Sequence, residues 1–341
     1  MINTGSITNT TTKNFYTDFD EFRTELARQE TNTERVKIPT KDIKFIPIEE
    51  KIYLEIGGMT YPVARSAFVS IKGRIEINGK GLLKLPANLL TQVLNNRIKN
   101  TKEVQIIIID GQVRAVFAAT KAGYKIMPAE EIVNHLLDIS EFRLGNCKFK
   151  NAFLTCDLVN LKMLFPQKKE ELKFLYSDSL NKSSQEIIPG IQLITSNTGF
   201  SSNIINPFWH TKTGDIILAE ERIKMQHRGQ NNNILNLEQQ FPQLFIRLRD
   251  SIQLIQNQTR YNVKSPIKVI KAICKKLKIS QKDVKKLIEK VEKFPSNIVT
   301  GYQITELLME LGNEEKNILK KEYLENKAGK ALFEDYRKYD D

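Results

Sequence analysis

The sequence predicts an α+β fold: a mixed antiparallel β-rich body with flanking helices, followed by an all-helical basic C-terminal region. Apolar runs on both sides of Asp110-Gly111 predict a β-hairpin, because both positions of such a turn favour positive φ. Apolar residues recur at three- and four-residue spacing from Leu237 to Asn257, which predicts a long amphipathic helix. After Ser265 the chain is lysine-rich and helical in periodicity throughout.

The chain divides into three predicted parts. Residues 1–35 are rich in Thr, Asn and charge, which is typical of a disordered or loosely docked N-terminal arm. The α+β body is predicted over 36–264, and the helical lysine-rich region over 265–341. Before the hairpin, the body contains a predicted strand over 52–56, a short helix over 62–71 and a helix over 87–98 that begins behind Pro86.

The rest of the body alternates between strand and helix patterns. The hairpin strands are predicted over 104–109 and 113–118, and a helix over 129–137 begins behind Pro128. Residues 142–165 are predicted to be β-rich, and the polar stretch 168–186 to be a loop or a short edge element. Further strands are predicted over 191–195, 202–205 and 216–224.

Composition limits the kinds of partner and compartment. The chain has 341 residues with 52 Lys and Arg against 40 Asp and Glu, a net charge of +12 and an isoelectric point near 9.4. This balance favours polyanionic partners. The three cysteines form no CxxC pair, which argues against a disulfide framework and a zinc site and favours a reducing, cytoplasmic setting. No apolar run is long enough to cross a membrane, and no metal, cofactor or membrane partner is expected.

The stretch 269–291 has the spacing of a helix-turn-helix. Cys274 takes the small-residue position of the first helix, Ile279 closes the turn, and Ser280 is placed to cap the second helix. Val284 and Leu287 follow on one apolar face. Lys278 stands where glycine is common because the turn needs positive φ. Two amphipathic helices with solvated lysine faces would show the same pattern, so a purely structural interpretation remains open.

A lysine side chain can bind a phosphate without a precise geometry. The exposed lysines of the two helices therefore predict a nucleic-acid partner, with DNA favoured over RNA. On the β body, Arg114 and Arg228 are further cations, and Trp209 is an aromatic residue that could stack on a base. A core position for Trp209 is the competing interpretation. The predicted nucleic-acid-binding residues are Lys268, Lys271, Lys275, Gln281, Lys282, Lys285, Lys286, Arg114, Arg228 and Trp209.

No catalytic residue is predicted. His210 and His227 are eligible for proton transfer near neutral pH, but neither has a carboxylate or cysteine neighbour at a spacing that suggests a dyad. Asp110, Asp157 and Asp215 show no DxD or ExK spacing of the kind that gathers carboxylates on Mg²⁺.

Several short motifs together resemble a known family. Residues 112–116 contain GlnValArgAlaVal, residues 196–199 are SerAsnThrGly, and residues 324–330 are LeuGluAsnLysAlaGlyLys. These motifs are similar to those of a phage- and plasmid-borne family catalogued as domain of unknown function 932. SerAsnThrGly lacks the acidic residue of the family pattern, and the family's cysteine is absent here. The resemblance implies a mobile-element protein that handles nucleic acid or host defence.

The predicted function is therefore non-enzymatic nucleic-acid binding in replication, recombination or regulation of a mobile element, with homo-oligomerisation left open. A protein-binding inhibitor of a host defence system is the first alternative, because a basic surface also fits an acidic protein. A metal-dependent nuclease is the second, although the sequence supplies no visible ligand set.

Overall fold

The strands of the structure lie in antiparallel sheets flanked by helices, which confirms the predicted α+β class. The computed structural model describes residues 14–75, 81–100, 102–119, 127–173, 184–225, 235–294 and 299–340. The helices are α1 Phe19–Thr31, α2 Ala67–Ile75, α3 Ala87–Ile98, α4 Ala129–Leu144, α5 Leu235–Arg260, α6 Pro266–Lys276, α7 Gln281–Val291, α8 Gly301–Asn313 and α9 Ile318–Leu332.

The strands are short, and most pair with their neighbours in sequence. They are β1 Phe15–Tyr16, β2 Thr33–Pro39, β3 Ile43–Ile48, β4 Lys51–Ile56, β5 Met59–Pro62, β6 Glu103–Ile109, β7 Gln112–Ala118, β8 Lys148–Leu154, β9 Val159–Leu164, β10 Glu170–Lys173, β11 Ser184–Thr195, β12 Asn203–His210, β13 Asp215–Ile217, β14 Ile223–Met225, β15 Asn262–Val263 and β16 Val299–Thr300.

The N-terminal segment corrects the prediction of a loosely docked arm. Residues 14–35 contain β1, α1 and the start of β2, while residues 1–13 lie outside the described residues. Asp18 caps α1 by accepting a hydrogen bond from the backbone N–H of Glu21 at 2.9 Å. Phe22 and Leu26 on α1 are buried in the same core as α4. Burial of these two side chains fixes the segment on the body.

A smaller unit with its own core is formed by β2 to β7. The sheets β2-β6-β7 and β3-β4-β5 pack with α2 and α3 around buried residues such as Phe45, Leu54, Leu94 and Ile106. The β6–β7 turn has positive φ at both Asp110 (50°) and Gly111 (70°), as the sequence predicts. The predicted helix over 87–98 also matches α3.

The largest sheet has the strand order β1-β8-β9-β11-β12-β13, with β10 paired to β11 and β14 paired to β12. One face of this sheet is apolar and is covered by α1, α4 and the start of α5. β11 begins at Ser184, inside the stretch that was predicted to be a loop or edge element. The strand predicted over 216–224 is interrupted between β13 and β14. No helix among the described residues is long and apolar enough to cross a membrane.

The helical C-terminal region shares its core with the sheet. Trp209 on β12 and Ile216 on β13 belong to the same buried cluster as Leu248 on α5, Ile273 on α6 and Leu308 on α8. The boundary predicted at residue 264 therefore does not separate two cores. The helices after Ser265 are confirmed, with β16 pairing back to β15 in front of α8.

Candidate nucleic-acid interface

The pair α6–α7 has the turn geometry that a helix-turn-helix requires. The N–H of Leu277 donates to the carbonyl of Ile273 at 2.8 Å, and the N–H of Ile279 donates to the carbonyl of Cys274 at 2.9 Å. Lys278 lies between them in the left-handed region, with φ of 57°. A lysine thus occupies the turn position that glycine commonly takes, and the backbone still closes the turn.

The second helix is capped and fixed from its first turn. The hydroxyl of Ser280 accepts from the N–H of Asp283 at 3.2 Å and donates to its carboxylate at 2.6 Å. Asp283 is buried and pairs with Lys320 on α9 at 3.1 Å. Val284 and Leu287 are buried, as the apolar spacing predicts. These contacts leave the opposite side of α7 exposed to solvent.

We call the predicted nucleic-acid-binding side chains of α6 and α7 the lysine face. All of its members are exposed, and none forms an ion pair with a described residue. They are Lys268, Lys271, Lys275, Gln281, Lys282, Lys285 and Lys286. Other lysines on the same helices differ. Lys276 pairs with Glu334 at 2.7 Å, and Lys290 pairs with Glu310 and Glu314 at 3.1 and 2.7 Å.

An open groove lies at the N-terminal end of α6. Its volume is about 480 Å³, and it is lined by Ser265, Pro266, Ile267, Lys268 and Lys271. Two lysine-face members therefore border this shallow, open depression. The carboxylate of Asp340 lies just before α6, where it accepts hydrogen bonds from the backbone N–H groups of Lys264 and Ser265 at 2.8 and 2.7 Å.

Trp209 does not offer a stacking surface. Its side chain belongs to the core and only 2% of the residue is exposed. The indole N–H donates to the hydroxyl of Ser251 at 2.8 Å, so the polar edge of the ring is also occupied. The core interpretation of this residue is correct, and Trp209 is removed from the predicted binding set.

Arg114, the described one of the two predicted arginines, adds little to a surface. Arg114 is half-buried and pairs with Asp157 at 3.5 Å, while its Nε atom and the second carboxylate oxygen of Asp157 are buried without hydrogen-bond partners. It lies on β7, in the three-stranded sheet β2-β6-β7. Arg228 and His227 lie outside the described residues.

A buried ionic cluster joins the polar face of the large sheet to α9. Lys162 on β9 donates to Asp215 on β13 at 2.8 Å and to Glu325 on α9 at 2.6 Å. All three side chains are at least nine-tenths buried. Near them, Gln192 on β11 donates to Glu322 on α9 and accepts from the buried Asn206 at 2.9 Å.

Lys150 and His210 extend this cluster toward solvent. A bulge in β8 between Phe149 and Asn151 places the extra residue Lys150 where it pairs with Asp215. Its ammonium lies 3.1 Å from Nδ1 of His210, and Asp215 lies 2.8 Å from the same nitrogen. The sequence argument that no carboxylate accompanies the histidines is therefore wrong for His210, because the β12–β13 turn brings Asp215 to it.

The cluster shifts the pKa values of its members in different directions. Burial opposes ionisation of Asp215, but Lys162, His210 and Lys150 more than offset it and hold its pKa well below the usual range. Burial also acts to lower the pKa of Lys162, which Asp215 and Glu325 reverse into a net increase. The pKa of Lys150 is lowered, chiefly by burial, and that of Glu325 is raised for the same reason.

Two of the short sequence motifs, residues 196–199 and 324–330, lie at structural contacts. Glu325 supplies the ion pair to Lys162, and Gly329 lets α9 approach β13, since a Cβ at 329 would lie 1.8 Å from the carbonyl oxygen of Ile217. Asn197 accepts from the N–H of Ala129 at 2.7 Å and so caps the start of α4. The cysteines 147, 156 and 274 are unpaired, and the described residues contain no group of metal-binding side chains.

The comparisons with known proteins return no relative. No protein-family model, no curated protein and no solved structure matches this chain. The geometry therefore carries the functional argument by itself.

Proposed function

We propose that this protein binds nucleic acid through the lysine face of α6 and α7, in replication, recombination or regulation of a mobile element. The observation that carries the proposal is the set of exposed lysines that form no ion pair with a described residue, on two helices joined by the left-handed turn at Lys278. A helix pair of this kind presents the outer side of its second helix to the nucleic acid.

The charges of α7 are suited to phosphate contacts. Lys282, Lys285 and Lys286 lie on one side of the helix because they are three or four residues apart or adjacent. Gln281 stands at the start of the same side, where an amide can hydrogen-bond a base edge. On α6, Lys268 and Lys271 line the open groove at the start of the helix, and Lys275 is a third exposed lysine.

The direct test is a binding series with fluorescently labelled single-stranded DNA, duplex DNA and RNA of equal length at two salt concentrations. We expect at least one of them to bind, with affinity that falls steeply as salt rises. Absence of binding to all three would overturn the proposal and favour the acidic-protein partner. Degradation of one of them that requires Mg²⁺ would instead favour a nuclease.

Two variants of equal net charge sharpen the test. The lysine-face variant combines Lys282→Gln, Lys285→Gln and Lys286→Gln. The control variant combines Lys276→Gln, Lys290→Gln and Lys330→Gln, since each of these lysines pairs with a carboxylate. Only the lysine-face variant should lose affinity, because the control removes charges that are already neutralised. Exposed substitutions of this kind change stability by less than about 0.5 kcal/mol each.

A further inference from the structure

The outer side of α9 presents an aromatic ring held at the turn between α6 and α7. Tyr323 is 40% exposed. Its hydroxyl donates to the carbonyl oxygen of Lys278 at 2.8 Å, which fixes the ring at the α6–α7 turn. The ammonium of Lys327, one turn further along α9, lies 4.8 Å from the ring centroid.

Lys278 in the α6–α7 turn and Lys327 on α9 form no ion pair with a described residue, in contrast to Lys320 and Lys330 on α9. Lys320 pairs with Asp283 and Glu315 at 3.1 and 2.8 Å, and Lys330 pairs with Glu220 at 2.9 Å. Burial first, and then the positive charges of Lys330 and Lys278, lower the pKa of Lys327. These ammonium groups therefore repel one another, and an anion bound between them would relieve that repulsion.

We propose that Lys278, Tyr323 and Lys327 form a second phosphate-contacting patch, which extends the nucleic-acid surface from α7 onto α9. The inference rests on the proposed function, because the phosphate belongs to the same bound nucleic acid. The Lys327 ammonium lies over the ring of Tyr323, and the hydroxyl of the same ring is hydrogen-bonded to the backbone of Lys278, so one side chain links both lysines. A backbone phosphate lies between the two cations.

The experiment compares Lys327→Gln with Lys330→Gln in the full chain, using the nucleic acid that wild type binds best. Both substitutions remove one charge from the same helix, but Lys330 pairs with Glu220, whereas Lys327 pairs with no carboxylate of the described residues. Lys327→Gln should weaken binding several-fold at low salt and make the slope of log K against log salt shallower by about 0.9, the value for one phosphate contact. Lys330→Gln should leave the slope at the wild-type value.

A second measurement follows the Lys327 ammonium directly by NMR in wild type. Adding the nucleic acid should raise the pKa of Lys327, because a phosphate favours the charged form. An unchanged slope in Lys327→Gln together with an unchanged Lys327 pKa would overturn the patch. If the lysine-face variant still loses affinity in that case, the proposed function stands and only this inference fails. If wild type binds no nucleic acid, both fail.

Discussion

Lys162 on β9 donates to Glu325 on α9 over 2.6 Å, across 163 positions of sequence. The contact joins the polar face of the large sheet to the helix that also supports the α6–α7 turn through Tyr323 and Lys320. The buried cluster and the lysine face are thus attached to opposite sides of the same helix. The Lys162–Glu325 contact should matter for stability, because removing one partner of a buried ion pair leaves the other charge without compensation.

Lys162→Met should destabilise the protein strongly. The substitution keeps the length of the side chain but leaves Glu325 without its cation and Asp215 with only Lys150 and His210. The expected loss in unfolding free energy is about 3–5 kcal/mol. Chemical denaturation measures it, with Lys169→Met as the control.

The control removes an exposed ion pair. Lys169 and Glu186 lie 3.2 Å apart and are both about half exposed, so Lys169→Met should cost less than about 1 kcal/mol. Equal effects of the two substitutions would show that the buried cluster does not hold α9 on the sheet.

Gly329→Ala tests the close approach of α9 to β13. A methyl group at 329 would lie 1.8 Å from the carbonyl oxygen of Ile217, so the helix must shift. The expected cost is about 1–3 kcal/mol, as for other overpacked sites. Gly312→Ala on α8 is the matched substitution, because its nearest neighbour would be the Cβ of Leu324 at 3.4 Å.

Gly312→Ala should be neutral or should stabilise the protein by up to about 1 kcal/mol, since alanine favours a helix more than glycine does. Thermal unfolding of the two variants gives the comparison. A Gly329→Ala variant as stable as Gly312→Ala would contradict the observed packing of α9.

Glu306 on α8 should make stability fall as pH rises. Burial, with a smaller effect of Glu310, raises the pKa of Glu306 to about 7 from an ordinary value of 4.5. Below the pKa that Glu306 has in the unfolded state, its protonated carboxyl contributes its full share to the free energy of unfolding. It is lost as pH rises through the folded pKa, because the folded state disfavours the ionised carboxylate. The loss between pH 4 and pH 8 should be about 1–3 kcal/mol.

Glu306→Gln removes the titration and therefore isolates this effect. The variant should match wild type near pH 4 and exceed its unfolding free energy near pH 8. Denaturation curves at the two pH values decide the matter. A constant difference between variant and wild type at both values would show that Glu306 does not titrate in this range.

Local patterns could be predicted from sequence because each depends on neighbouring residues. The hairpin at Asp110-Gly111 and helix α3 follow from turn chemistry and from apolar spacing. The exposed side of α7 follows from the same spacing. Helix α1 was missed because only Phe22 and Leu26 mark its buried side, and a polar, Thr-rich stretch precedes it.

The buried cluster could not be predicted because its contacts depend on tertiary structure. Lys150 reaches Asp215 only through a bulge in β8, and a bulge leaves no distinct mark in this sequence. His210 and Asp215 are five residues apart, a spacing that becomes a contact only when the chain turns between β12 and β13. Trp209 shows a different limit, since an aromatic residue near basic ones is compatible with a surface as well as with the core, even though burial tendencies favour the core.

The slope of log K against log salt tests the central claim most directly. If about five phosphates are contacted, the slope for wild type should be roughly −4, and it should keep that value in the control variant at 276, 290 and 330. The lysine-face variant at 282, 285 and 286 should show a slope shallower by about 2 to 3, because it lacks three of the contacts. Equal slopes and equal affinities for the two variants would contradict binding through the lysine face.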